Sequence, residues 1–253
     1  MTLYDRFRLD GRVAIVTGAS SGFGAETARQ MASVGARVAI GARRLERLTE
    51  LRDEIQGQGG EAVAMALDVT SPDDCQRFVA QTVDAFGGVD VLVNNAGAGT
   101  AVPATRETPV QFTSVVEVNL FGAYWMAQSV ARAMASGGSI VNISSVLALT
   151  TAGLPQAAYS ASKAGMIGLT RDLAQQWTSR KKIRVNAIAP GYFKTEMTAA
   201  YDPGYIESLL PRMLIGRQGE LSELAAAVIF LASDASSYMT GSVLTVDGGF
   251  TAT

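Results

Sequence analysis

The sequence predicts an α/β chain: one doubly wound, seven-stranded parallel sheet flanked by helices. Three observations point there. Short apolar runs alternate with longer helix-like segments from one end of the 253 residues to the other. The runs show no polar alternation, which suits strands buried on both faces of a parallel sheet. No linker, repeat or low-complexity tract interrupts the strand–helix alternation, which implies right-handed crossovers within a single domain spanning 1–253. That length is close to the upper size for one hydrophobic core.

The first strand is Val13–Val16, apolar and β-branched, followed by a helix over Gly22–Val34. Val38–Ile40 is the second strand and Leu45–Gln56 a charged amphipathic helix. Ala62–Leu67 and Val89–Val93 continue the sheet on either side of a helix over Asp73–Phe86. A single long helix is expected over Val110–Ala135, then a strand at Ile140–Ile143 and a second long helix over Ala158–Ser179. Ile183–Ile188, a helix over Ser222–Ser233 and Val243–Val246 complete the pattern. The least regular part is Gly191 to Gly219, with Pro203, Gly204, Pro211 and Gly216. It is too long for an ordinary connection, so a lid or substrate loop is expected there. A pocket wall of Leu147, Leu149, Leu154, Tyr192, Phe193, Met197 and Met213 would favour an apolar or bulky substrate.

Composition removes whole classes of function. Lys plus Arg total 21 against 23 Asp plus Glu, a formal net charge of −2, so no basic excess points to nucleic acid or an anionic membrane. Histidine is absent, which excludes Ser-His-Asp and Cys-His hydrolases. Cys75 is the only cysteine, so neither an internal disulfide nor a Cys-rich zinc site can form, and no metal is expected. The expected compartment is the reducing cytoplasm. Met1 to Arg12 carries Asp5, Arg6, Arg8 and Asp10 and lacks the apolar run of a signal peptide. The uncharged stretch between Arg132 and Lys163 is broken by Gly137, Gly138, Gly153 and Pro155, so it reads as strand and loop rather than a membrane span.

The first strand ends in Thr17-Gly18-Ala19-Ser20-Ser21-Gly22-Phe23-Gly24 and enters a helix. Glycines permit a tight turn and let a pyrophosphate approach backbone N–H groups at a helix N-terminus, where the dipole favours anions. The G-x-x-x-G-x-G spacing differs from G-x-G-x-x-G. Asp68-Val69 and Asn94-Asn95-Ala96-Gly97 follow the third and fourth strands, at the ends where ligands of parallel sheets bind. Either could instead be a turn cap. Tyr159 and Lys163 lie one helical turn apart, and an ammonium there would stabilise tyrosinate for acid–base work. Taken alone, that pair could be a solvated helix face. The order along the chain distinguishes them: glycine turn, Asn pair, serines at a strand end, then Tyr and Lys.

These pieces together resemble the short-chain dehydrogenase/reductase family over essentially the whole chain. Asn119, Ser144-Ser145, Pro190-Gly191-x-x-x-Thr195 and the closing Thr245-Val246-Asp247-Gly248-Gly249 match it as well. The resemblance implies a Rossmann fold, with Tyr159 as acid–base residue and Lys163 on the nicotinamide ribose. It further implies that Ser145, the second of the pair, orients the reacting oxygen, and that Asn119 holds a water in a proton relay. By the same resemblance Gly18, Ser20, Ser21, Gly22, Phe23, Gly24, Asp68, Val69, Asn95, Ala96, Gly97, Pro190, Gly191 and Thr195 contact the cofactor.

The expected activity is hydride transfer between NADP(H) and a ketone or secondary alcohol, with NAD(H) the poorer cofactor. NADP(H) is favoured because small Ala42 stands where an NAD-selective site places an acid, and Arg43 follows to meet a 2′-phosphate. A 3-oxoacyl-thioester reductase, served by an acidic carrier protein, is the alternative; Arg132, Arg171, Arg180 and Lys181 are its scattered basic candidates. A catalytically idle nucleotide sensor is the alternative of another class. The two long helices carry more small and apolar residues than one sheet face can cover, and the family resemblance, whose members pair these helices across two-fold axes, implies a homotetramer.

Overall fold

The computed structural model describes residues 2–195 and 202–253. Seven strands, β1 (Val13–Thr17), β2 (Arg37–Ala42), β3 (Glu61–Ala66), β4 (Val91–Asn94), β5 (Gly138–Ile143), β6 (Ile183–Pro190) and β7 (Val243–Val246), form one sheet. Their order is β3-β2-β1-β4-β5-β6-β7, and every pairing is parallel. The seven expected strands are all present, with ends moved by at most two residues.

Successive residues of β1 serve opposite faces, as the pleat requires. Ala14 and Val16 join one core layer with Met31, Leu48 and Val228, while Ile15 joins the other with Phe78, Val130 and Leu173. The first layer is built by α1 (Gly22–Ser33), α2 (Leu45–Gly57) and α8 (Leu221–Ala232), the second by α3 (Pro72–Phe86), α5 (Gly122–Ala133) and α6 (Ala157–Lys181). Local signals start and stop these helices. Ser71 Oγ accepts the Asp74 N–H with Pro72 in the first turn of α3, and Gly87 ends the helix at φ 85°. Among the described residues no helix is long and apolar enough to cross a membrane.

Two expectations change. The helix expected over Val110–Ala135 is three pieces: α4 (Pro109–Val116), a π-helical segment over Glu117–Phe121, and α5. An inserted residue of this kind re-aims side chains at functional sites. The segment expected to be irregular, Gly191 to Gly219, contains α7 (Pro203–Leu209) and a 3-10 turn over Leu210–Arg212. Asp202 caps α7 by accepting the Gly204 N–H at 2.8 Å, with Pro203 at the first position. Residues 196–201 of that segment, including Met197 of the expected pocket wall, lie outside the described residues.

Candidate active site

Because all strands run parallel, their carboxyl ends share one edge. The chain leaves neighbouring β1 and β4 in opposite directions, opening a crevice at that edge. A cavity of about 810 Å³ occupies it.

Its floor is the glycine turn. Gly18 has φ +66°, and a Cβ there would sit 2.7 Å from Ala96 Cα; one on Gly24 would sit 2.5 Å from Asn95 Nδ2. Only glycine lets these two loops lie against each other. Thr17 completes the joint: its Oγ1 accepts the N–H groups of Asn95 and Ala96, each at 3.0 Å. Asn95 Nδ2 returns two bonds, to the carbonyls of Thr17 at 3.0 Å and Gly18 at 3.1 Å. Gly18, Ser20, Ser21, Gly22 and Phe23 line the cavity as expected. Gly24 does not; it is the packing glycine under Asn95. Ser21 makes no side-chain cap, so the first N–H groups of α1 remain for an anion.

The outer end of the cavity is bordered by Ala42, Arg43 and Arg44 after β2 and by Asp68, Val69 and Thr70 after β3. Arg43 is exposed at the mouth. Arg44, the next residue, donates to Ser20 Oγ and Ser21 Oγ, each at 3.0 Å. Asp68 both borders the cavity and caps its turn, one oxygen accepting from Thr70 N–H at 3.0 Å and Thr70 Oγ1 at 2.7 Å.

At the inner end, α6 presents Tyr159 and Lys163. The lysine is 3% exposed, its Nζ donates to the Ile143 carbonyl at 2.8 Å, and it lies 5.7 Å from the centroid of the Tyr159 ring. Burial pushes the ammonium down to about 8, so it is still mostly protonated at neutral pH. Ser145 Oγ accepts the Leu147 N–H at 3.1 Å, which leaves its own proton for a bond into the cavity. Ser144 Oγ instead donates to the Lys163 carbonyl at 2.8 Å.

Asn119, on the π-helical segment, is fully buried and lies behind the cavity wall. Both its amide N–H groups are spent, on the Ala98 carbonyl at 2.9 Å and Ser162 Oγ at 3.0 Å, and its Oδ1 accepts the Ala98 N–H at 2.8 Å. The expected water-holding role therefore does not fall to these N–H groups, which tie the Gly97 loop to α6. Ser162, next to Lys163, was missed; nothing in the sequence shows which way its hydroxyl turns. Ala96 and Gly97 line the cavity opposite Lys163, and a Cβ on Gly97 would lie 3.6 Å from Nζ.

Pro190, Gly191, Tyr192, Phe193 and Thr195 form the roof. Phe193 meets Phe23 edge-on at 5.1 Å. Tyr192 hydrogen-bonds Tyr205 at 2.9 Å, and Tyr205 donates to the Ala152 carbonyl at 2.8 Å. Of the expected wall, Leu147, Tyr192 and Phe193 line the cavity; Leu149, Leu154 and Met213 do not, and Met213 packs behind Tyr192 in one cluster with Leu209 and Phe250. An anion site at a helix N-terminus, basic and hydroxyl groups at one end, and a Ser–Tyr–Lys set at the other fit a phosphate-bearing nicotinamide dinucleotide.

Comparison with known proteins agrees. The family model described as enoyl-(acyl carrier protein) reductase matches residues 18–251. A 3-oxoacyl-[acyl-carrier-protein] reductase of Thermotoga maritima is 41% identical over 245 residues, covering 96% of this chain and 98% of that protein. A galactitol 2-dehydrogenase (L-tagatose-forming) of Cereibacter sphaeroides is 42% identical over 253 residues, covering 97% of each. Among solved structures, a gluconate 5-dehydrogenase of Burkholderia cenocepacia in complex with NADP and tartrate superposes with a TM-score of 0.95 at 36% identity, covering 100% of both chains.

Proposed function

The chain belongs to the short-chain dehydrogenase/reductase family, and on that premise we propose that it transfers a hydride between NADP(H) and a ketone or secondary alcohol. The observation that carries this reading is convergence: Ser145, Tyr159 and Lys163 border the same cavity as the glycine turn. When bound, the nicotinamide supplies or accepts the hydride. In reduction, Ser145 holds the substrate oxygen and Tyr159 donates its hydroxyl proton to it as the carbon takes the hydride. The Lys163 ammonium stabilises the phenolate that remains. Oxidation runs the same proton back to Tyr159. Ser20, Ser21 and the start of α1 hold the phosphates, Arg43 and Arg44 the 2′-phosphate, and Thr195 the carboxamide.

Leu147, Tyr192 and Phe193 give the reacting end an apolar and aromatic surround, which supports a substrate bulkier than a small polyol. The acyl-carrier alternative gains no support from Arg132 or Lys181, which line a groove between α5 and α6 instead of the main cavity. That same groove, with Tyr124 and Trp177, supports association through α5 and α6 into a homotetramer. The buried lone cysteine is consistent with work in the reducing cytoplasm.

A panel of ketones with NADPH and NADH, followed by nicotinamide absorbance, tests the reading. Tyr159→Phe is expected to lower turnover by about 100-fold or more while leaving cofactor affinity near wild type, because only the transferable proton is removed. Turnover above a few per cent of wild type would overturn the acid–base assignment, and no turnover of any ketone by the wild-type chain would favour an idle sensor.

A further inference from the structure

We infer that Ser144 is a positioning residue for Lys163: its buried hydroxyl fixes the lysine against the end of β5, so that the ammonium is presented to Tyr159 and the cofactor. This rests on the role proposed above for Lys163.

The two adjoining serines do different work. Ser145 keeps its proton for the cavity, whereas Ser144, 2% exposed, spends its proton on the Lys163 carbonyl at 2.8 Å. The residue before it, Ile143, accepts from Lys163 Nζ at 2.8 Å. Consecutive residues at the exit of β5 thus hold one lysine at both ends, backbone and ammonium. The backbone of Ser144 is itself anchored, its N–H donating to the Ile188 carbonyl of β6 at 2.7 Å. A lysine stem has four flexible carbons, and a compact ammonium on it finds other partners unless both ends are fixed. Without the Ser144 hydroxyl, this turn of α6 can shift against β5, and Nζ can keep its bond to Ile143 only by bending its stem away from Tyr159.

The bond is not what docks the helix. Two turns on, Asn142 Nδ2 donates to Thr170 Oγ1 at 2.9 Å, and Asn119 grips Ser162 at 3.0 Å. Removing the Ser144 hydroxyl therefore loosens one turn of a helix that other side chains still hold to the sheet.

The test uses Ser144→Ala, Ser144→Cys and Ser144→Thr, each checked for folding by circular dichroism. NADPH dissociation constants come from calorimetric titration and pH profiles from the alcohol-oxidation direction. With the ammonium displaced, tyrosinate is less favoured, so the acidic limb should move to higher pH, by about half a unit to one unit in Ser144→Ala. NADPH binding should weaken about threefold to tenfold, a range set by loss of geometry at one charged donor. Ser144→Cys keeps the bulk with a weaker donor and should move both readouts the same way; it carries the test if the alanine variant does not fold. Ser144→Thr keeps the hydroxyl and should lie nearer wild type on both. A wild-type limb and dissociation constant in the alanine or cysteine variant would overturn the inference, as would threonine shifting as far as alanine. Activity in Tyr159→Phe would instead sink the catalytic reading, so the two failures separate: silent Ser144 variants beside an inactive Tyr159→Phe refute the positioning role alone.

Discussion

At position 42 the cofactor-discriminating side chain is reduced to a methyl. Ala42 ends β2 on the cavity wall, and no carboxylate stands there to accept bonds from ribose hydroxyls or to repel a phosphate. The structure adds Arg44, which reaches both serines of the glycine turn, to the Arg43 read from the sequence. Ala42→Asp with Arg43→Leu is therefore expected to lower kcat/KM for NADPH by about tenfold to hundredfold, the scale of losing a charge-assisted contact. NADH turnover should be kept or improved, and adding Arg44→Leu should extend the shift. A wild-type preference for NADH, measured as a ratio on one ketone, would defeat the assignment. Of the residues proposed to do the chemistry, spacing puts Tyr159 and Lys163 on one helix face, while their roles, and Ser145 over Ser144, were legible only through the family resemblance. The supporting polar groups were not. Whether Asn95 serves a ligand or the Thr17 turn, and which serine of a pair points outward, depends on rotamers and on neighbours distant in sequence.

Helices and strands were legible where burial sets a period, and illegible where one residue breaks it. The apolar pattern of Val110–Ala135 continues smoothly through Glu117–Phe121, so periodicity cannot reveal the π-helical segment that turns Asn119 inward. By contrast α7 carried a readable sign, Asp202-Pro203 as cap and first position, overridden by the proline and glycine content around it. The far end of α8 depends on a residue with no motif at all. Arg184 on β6 donates to the carbonyls of Leu231 and Ser233, each at 3.0 Å, to Ser236 Oγ at 2.9 Å and to the Met239 carbonyl at 3.3 Å. A guanidinium at a helix C-terminus also opposes the dipole there. Arg184→Met should cost about 3 kcal/mol, because several buried acceptors lose a charged donor at once. For a chain of this size that lowers Tm by about 6–12 °C. Arg184→Lys, with no planar fork, should recover only part of the loss. A change of under a degree in calorimetric Tm would show that the acceptors find other partners.

The folded chain covers both faces of its sheet yet leaves apolar surface on the second helical layer. Val110 is 76% exposed and Phe121 48%, and Tyr124, Leu169 and Trp177 border the groove between α5 and α6. The outer side of α6 is narrow: Ala161, Ala164 and Gly168 are exposed, and a Cβ built on Gly168 meets nothing within 4 Å. Small residues on such a face let a second helix approach closely, and two-fold pairing of the same surface is the commonest way soluble chains associate. Gly168 separates the two possible states of this surface. In a solitary chain, Gly168→Arg points a side chain into solvent and gains about 1 kcal/mol of helix propensity. In the proposed tetramer the same side chain lies where the partner helix must sit. Light scattering at micromolar concentration should give the wild type a mass near four times the 26.5 kDa chain and the variant a smaller assembly. Since α6 also carries Tyr159 and Lys163, turnover per chain should fall with the mass. A monomeric wild type would refute the assembly, and an unchanged mass in Gly168→Arg would move the interface off this helix.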